Sequence, residues 1–159
     1  MSEAKEQTET RLIVPAMDPL YRALSGFSYP MIRFFTGLIL VPHGAQKLFG
    51  WFGGGGLQAT AQGFGQNLGL EPGIFWASVV ALNEFVGGLC IAFGFLTRIF
   101  AAGLFIEMAM TIILVHLSKG FFWGAGGYEY PLLWGLIGLA IFFRGGGNLS
   151  VDRAIGREF

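Results

Sequence analysis

Cysteine is almost absent: Cys90 stands alone in 159 residues. One thiol excludes an internal disulfide and any multi-cysteine zinc or iron–sulfur site within this chain. Cys90 lies in an apolar run, where a packed and inert thiol is the ordinary outcome. Charge is scarce as well, at 13% of residues, where soluble domains carry about 25%. Ten basic and ten acidic residues cancel, so no global field recruits nucleic acid or an acidic partner. A cleavable signal is not expected either, because residues 1–29 are polar and mixed in sign. Their short apolar patch, Leu12–Val14, is followed by Pro15, Pro19 and Pro30. The four glycines Gly53–Gly56 lack the GxxxxGK[ST] or GxGxxG spacing of a phosphate loop, and no strand precedes them. They read as a hinge.

Apolar residues are what the chain has in quantity: 53% of the total, with a mean hydropathy of +0.60. The expected class is an all-α membrane protein. Four apolar segments, about 31–50, 74–95, 99–117 and 128–143, predict a four-transmembrane-helix bundle over residues 30–145. Residues 1–29 form a polar N-terminal tail, with an interfacial piece at 17–29 carrying Tyr21, Leu24, Phe27 and Tyr29. Residues 146–159 form a polar C-terminal tail. Between the first two spans, Leu57, Ala61, Phe64 and Leu68 recur at helical spacing and predict a short amphipathic helix. The very short Leu96–Arg98 turn makes spans two and three an antiparallel hairpin. The fourth span is about 24 Å long, slightly less than a bilayer core.

Basic residues give the orientation. Lys5, Arg11, Arg22, Arg33, Arg98, Arg144, Arg153 and Arg157 fall on the side of both termini, while Lys47 and Lys119 fall on the other. Both termini are therefore expected in the cytoplasm. Trp51, Phe52, Phe121, Phe122, Trp123, Tyr128 and Tyr130 then make an aromatic belt at the outer interface.

The polar residues within the spans carry the functional question. On the first span, Arg33, Thr36, Gly37, Leu40, His43, Gly44 and Lys47 share one stripe, which must turn towards protein. On the second, Ala77, Ala81, Glu84, Gly88 and Ala92 form a small-residue stripe around one carboxylate. The third places Gly103, Glu107, Thr111, Leu114 and Ser118 on one side. Counted from the inner edge at ~1.5 Å per residue, His43, Glu107 and Glu84 lie at roughly 15, 14 and 16 Å. Three ionisable groups on three helices thus converge near the midplane, where a charge costs about 2.5–3.5 kcal/mol. His43, Glu84 and Glu107 are the candidate intramembrane site. A quinone head needs hydrogen-bond donors and a proton source in an apolar slot, and these residue types supply both. The competing reading is that they bond to one another and specify helix packing.

Lys47, roughly 21 Å from the inner edge, lies level with Glu129, which predicts an outer-interface ion pair; snorkelling of Lys47 is the alternative. His116, roughly 27 Å up, is about 12 Å above His43, too far for a haem held between them. Arg33, Arg98 and Arg144 mark the inner interface as anchors for lipid head groups. No metal ligand set and no catalytic residue is assigned.

One combination of motifs is more specific than its parts. Arg33-x3-Gly37-x5-His43-Gly44-x2-Lys47-Leu48-Phe49-Gly50-Trp51 resembles the first-helix signature of the DoxX family of small bacterial membrane proteins. Glu84 with Gly87-Gly88, Gly94-Phe95-Leu96-Thr97-Arg98, Gly127-Tyr128-Glu129 and Gly147-Asn148-Leu149-Ser150-Val151-Asp152 extend the likeness over about residues 30–153. The resemblance implies a four-helix bacterial membrane protein. Its relatives include a subunit of thiosulfate:quinone oxidoreductase, members linked to a complex with superoxide dismutase and a sulfurtransferase, and maturation factors for methylamine enzymes. The leading expectation is a membrane subunit that docks a redox-enzyme partner and offers a quinone-accessible site, with no covalently bound cofactor. The alternatives are a non-catalytic scaffold or assembly factor, and a small-solute or ion carrier. A homo-oligomer is compatible with each.

Overall fold

The computed structural model describes residues 11–159, and these are helical with no strand among them. Of the expected N-terminal tail, residues 1–10 lie outside the described residues. Six helices follow: α1 (Asp18–Phe49), α2 (Gly56–Leu68), α3 (Gly73–Phe93), α4 (Thr97–Lys119), α5 (Glu129–Arg144) and the one-turn α6 (Val151–Ala154). Three of these stretches, Pro15–Phe49, Gly73–Phe93 and Thr97–Lys119, are long and apolar enough to cross a membrane. At 16 residues, α5 is shorter, and it packs along α4 while α1 packs along α3.

The expected interfacial piece is not a separate element. Residues 18–29 continue straight into the first span as one helix that holds both Pro30 and Pro42. Each proline costs one backbone hydrogen bond. At Pro30 the freed carbonyl belongs to Gly26, which is exposed and open to water. The connection after α1 does fold as a helix: Ala61 of α2 is buried, and Leu57, Phe64 and Leu68 lie partly buried on the same side. It rests against the start of α3, where a side chain on Gly73 would strike the Ala61 carbonyl.

Small residues set the approach of α1 to α3. A Cβ at Gly37 would overlap the Gly88 carbonyl, and one at Gly88 would lie 2.8 Å from the Gly37 carbonyl. Gly44 meets the Phe85 backbone in the same way. Ala77, Ala81, Glu84, Gly88 and Ala92 are all buried, so the stripe on the second span is its packing face. Leu40, Ile91, Ala101, Leu104 and Ile141 form the core, with Tyr29, Phe100, Met108, Ile137 and Phe142 around it. On the third span the expected side is only partly correct. Leu114 and Ser118 are exposed, while Thr97, Ala101 and Leu104 are the buried positions.

At one end of the bundle the chain ties its own helix termini. The Arg33 guanidinium, 2% exposed, donates to the Ile91 and Ala92 carbonyls at 2.6 and 2.8 Å and to Leu149 at 2.5 Å. A cation there serves the last carbonyls and the negative dipole end of α3. Asp152 does the converse for α4: its carboxylate accepts from Leu96 N, Thr97 N and Thr97 Oγ1 at 2.8, 3.0 and 2.7 Å. Gly94 lets both sides approach, since at φ +73° a Cβ there would sit 2.5 Å from Ser150 and 2.6 Å from Arg33.

Candidate functional site

Two helices in this bundle each contain a π-helical turn, Asn83–Gly87 in α3 and Ile112–His116 in α4. Such turns insert one residue into the helical ladder and recur at functional sites, because they re-aim the side chains around them. Here the first carries Glu84 and the second ends at His116.

Glu84 is 5% exposed. Lys47 reaches it from α1, with Nζ at 2.7 and 2.5 Å from the two carboxylate oxygens. The expected Lys47–Glu129 pair is therefore not formed. Glu129 opens α5 instead, where its Oε2 accepts from the Trp123 backbone N–H at 3.1 Å. Desolvation explains the choice: a buried carboxylate without a cation is costly, whereas an exposed one such as Glu129 is served by water. Glu107 stands next to Glu84 within range of electrostatic interaction. Its Oε2 accepts from Asn83 Nδ2 at 2.9 Å, which ties α4 to α3. A side chain on Gly103 would displace that asparagine. Lys47, Asn83, Glu84 and Glu107 thus make a polar layer across three helices.

Glu84 also faces a cavity of about 160 Å³. Its walls come from α1 (Ile39, Leu40, His43), α4 (Met108, Thr111, His116), α5 (Tyr130, Pro131, Trp134) and the loop residue Trp123. His43 belongs to this lining, and it is exposed at the cleft rather than packed against a neighbouring helix. Glu107 is not part of the wall. Of the three residues expected to converge, the structure brings His43 and Glu84 to the cavity and places Glu107 beside Glu84 in the polar layer.

His116 was separated from His43 by depth on an ideal helix, yet both line this one cavity. Its Nδ1 donates to the Gly126 carbonyl at 2.6 Å. A carbonyl only accepts, so Nδ1 carries the proton and a neutral ring keeps Nε2 as an acceptor. An aromatic series continues from this ring, with centroids 5.7 Å apart for His116–Trp123, 5.0 Å for Trp123–Tyr130 and 5.9 Å for Tyr130–Trp134. An apolar cavity of about 150 Å³ accommodates a benzene ring. This one has that capacity and adds two imidazoles, a carboxylate and the hydroxyls of Thr111 and Tyr130.

Of the three arginines expected as inner-interface anchors, Arg33 is buried away from any head group, while Arg98 and Arg144 also make contacts within the fold. Arg33 is buried and caps α3, as described above. Arg98 donates to the Phe142 carbonyl at 3.2 Å and pairs with Glu158 at 3.6 Å. Arg144 lies over the Tyr29 ring at 4.7 Å, and the Tyr29 hydroxyl donates to the Gly145 carbonyl. Arg33 and Arg98 hold the C-terminal segment to the bundle, and Arg144 ties the end of α5 to α1. Among the described residues no cluster of three or more His, Cys, Asp or Glu side chains could hold a metal ion.

Apolar helices, a charged pair between the first two long ones and an aromatic cleft define a small α-helical membrane protein. Residues 30–117 match the sequence profile of the DoxX family, and the chain belongs to that family. It is 35% identical over 111 residues to the Bacillus subtilis protein named "Putative oxidoreductase CatD", covering 70% of this chain and 75% of that one. An uncharacterized membrane protein of Mycobacterium tuberculosis is 29% identical over 156 residues, 91% of each chain. An uncharacterized Haemophilus influenzae protein is 27% identical over 135 residues, 85% of this chain and 87% of its own. No solved structure matches.

Proposed function

We propose that this chain is the membrane subunit of a redox complex and that the cavity between α1, α4 and α5 receives a quinone head group. The observation that carries the reading is a ring-sized aromatic cleft with His43, His116 and Glu84 in its wall. A quinone carbonyl accepts a hydrogen bond and a quinol hydroxyl donates one. His43 and Tyr130 serve the first, and Nε2 of His116 serves the second. Interconversion of the two forms moves two electrons and two protons, and a partner enzyme that docks on this subunit exchanges the electrons. The oxidoreductase name of the Bacillus subtilis relative agrees with such a role.

In this reading α5 is a fourth, short span, both termini are cytoplasmic and the bilayer is the bacterial inner membrane. The gathering of Arg33, Arg98, Arg144 and the C-terminal segment at one end of the bundle supports it.

A second reading has its own support. Lys47 satisfies Glu84 and Asn83 satisfies Glu107, so the polar layer is complete without a ligand. A non-catalytic scaffold or assembly factor needs no more than that.

Tryptophan fluorescence separates the two. Trp123 and Trp134 line the cavity, whereas Trp51 and Trp76 do not. A short-chain quinone titrated into the detergent-solubilised protein quenches emission saturably, and His116→Ala weakens the effect about tenfold, the loss of one good hydrogen bond. Quenching that never saturates, or that is unchanged in a Trp123→Phe/Trp134→Phe variant, rejects the quinone reading in favour of the scaffold.

A further inference from the structure

The end of the bundle opposite the aromatic cleft carries a second cavity, of about 350 Å³, formed by the C-terminal segment against the end of α5. Arg144, Arg153 and Arg157 all line it, together with Asn148 and Ser150. Two carboxylates border it as well, and both are already engaged. Asp152 accepts three hydrogen bonds from Leu96 and Thr97. Glu158 accepts from Gly146 N at 2.6 Å and pairs with Arg98. Arg144 lies over an aromatic face, which leaves its charge uncancelled, and Arg153 donates to the neutral Asn148 side chain. Among the described residues no ion pair is made by Arg144, Arg153 or Arg157. Three guanidinium groups therefore share one concave site with no ion pair of their own, alongside the carboxylates of Asp152 and Glu158.

We propose that this cavity binds a phosphoryl anion, the phosphate of an anionic lipid head group or of a soluble phosphate ester. The chemistry matches on three counts. Guanidinium forks pair with phosphate oxygens bidentately. Multiple arginines answer a group whose charge is spread over several oxygens. The cavity's place at the end of an apolar helix gives access from the membrane boundary. The segment that forms the cavity is held by Arg33 and Asp152, so the site is assembled before a ligand arrives.

The test uses the full-length protein in mild detergent and a variant, Arg153→Gln/Arg157→Gln. Both side chains are exposed, and neither belongs to the caps on α3 and α4, so the thermal midpoint without ligand stays at the wild-type value. In one arm, native mass spectrometry follows retention of added phosphatidylglycerol against phosphatidylcholine. In the other, thermal stabilisation by inorganic phosphate is compared with chloride at equal ionic strength. Selective retention of phosphatidylglycerol, weakened at least about tenfold in the variant, identifies a lipid site. A phosphate-specific stabilisation lost in the variant identifies a soluble ligand. No preference for either anion, or binding as tight in the variant as in wild type, overturns the proposal.

Discussion

The Lys47 ammonium bridges both carboxylate oxygens of Glu84 across the crossing of α1 and α3, at 2.7 and 2.5 Å. The Glu84 side chain is 7% exposed and that of Lys47 27%. Removing one partner of a buried pair leaves an uncompensated charge, at a cost of about 3–5 kcal/mol. Lys47→Met is expected to lower the unfolding midpoint sharply in detergent. Lys47→Met/Glu84→Met recovers most of the loss, because an apolar pair of similar volume removes both charges. Equal destabilisation by the single and the double variant would show that the pair is not what joins these helices.

Gly37 and Gly88 allow α1 and α3 to touch along their backbones. Gly37→Ala is expected to cost about 1–3 kcal/mol by overpacking. Gly26→Ala, where an added Cβ meets nothing within 4 Å, is neutral or stabilising by up to about 1 kcal/mol. Thermal unfolding of the two variants checks the contrast.

Asp152 caps α4 from a position far along the chain. Asp152→Ala is expected to lose about 2 kcal/mol, the upper range for a helix cap. It should also speed hydrogen exchange over residues 145–159, because the segment loses its main attachment to the α3–α4 turn. Exchange that rises only at Thr97 and not in the C-terminal segment would separate the cap from the attachment.

Topology has a direct chemical test. In a Cys90→Ser background, Gly124→Cys is expected to react with a membrane-impermeant maleimide from outside the cell. Phe159→Cys reacts only after lysis. The reverse pattern inverts the orientation, and labelling of both from outside removes the fourth span.

Much of the bundle was legible because helical periodicity survives in a membrane helix. Ala77, Ala81, Gly88 and Ala92 recur with the helical turn and are buried for the reason their size suggests. Contacts between distant segments were not legible. Assigning Lys47 to Glu129 rested on depth along ideal helices. The actual partner is decided by where α1 crosses α3 and by the π-helical turn that carries Glu84. His116 was set apart from His43 by the same ideal-helix depth, whereas it lines the same cleft, carried by a π-helical turn and bonded to Gly126. Arg33 looked like an interfacial anchor from its position at the end of an apolar run. Only the fold shows three carbonyls waiting for it. The Gly94–Arg98 and Gly147–Asp152 motifs were visible as strings, but that they dock on each other is a tertiary fact.

That the cleft beside Glu84 holds a quinone is tested most directly on protein taken from its native membranes. Purification in mild detergent, followed by mass spectrometry of bound lipids and co-purifying proteins, reads quinone and partner together. Retained quinone, lost in His43→Ala and His116→Ala, is expected together with an oxidoreductase partner. A homo-oligomer or an assembly partner free of quinone, with both histidine variants unchanged, would contradict the quinone reading.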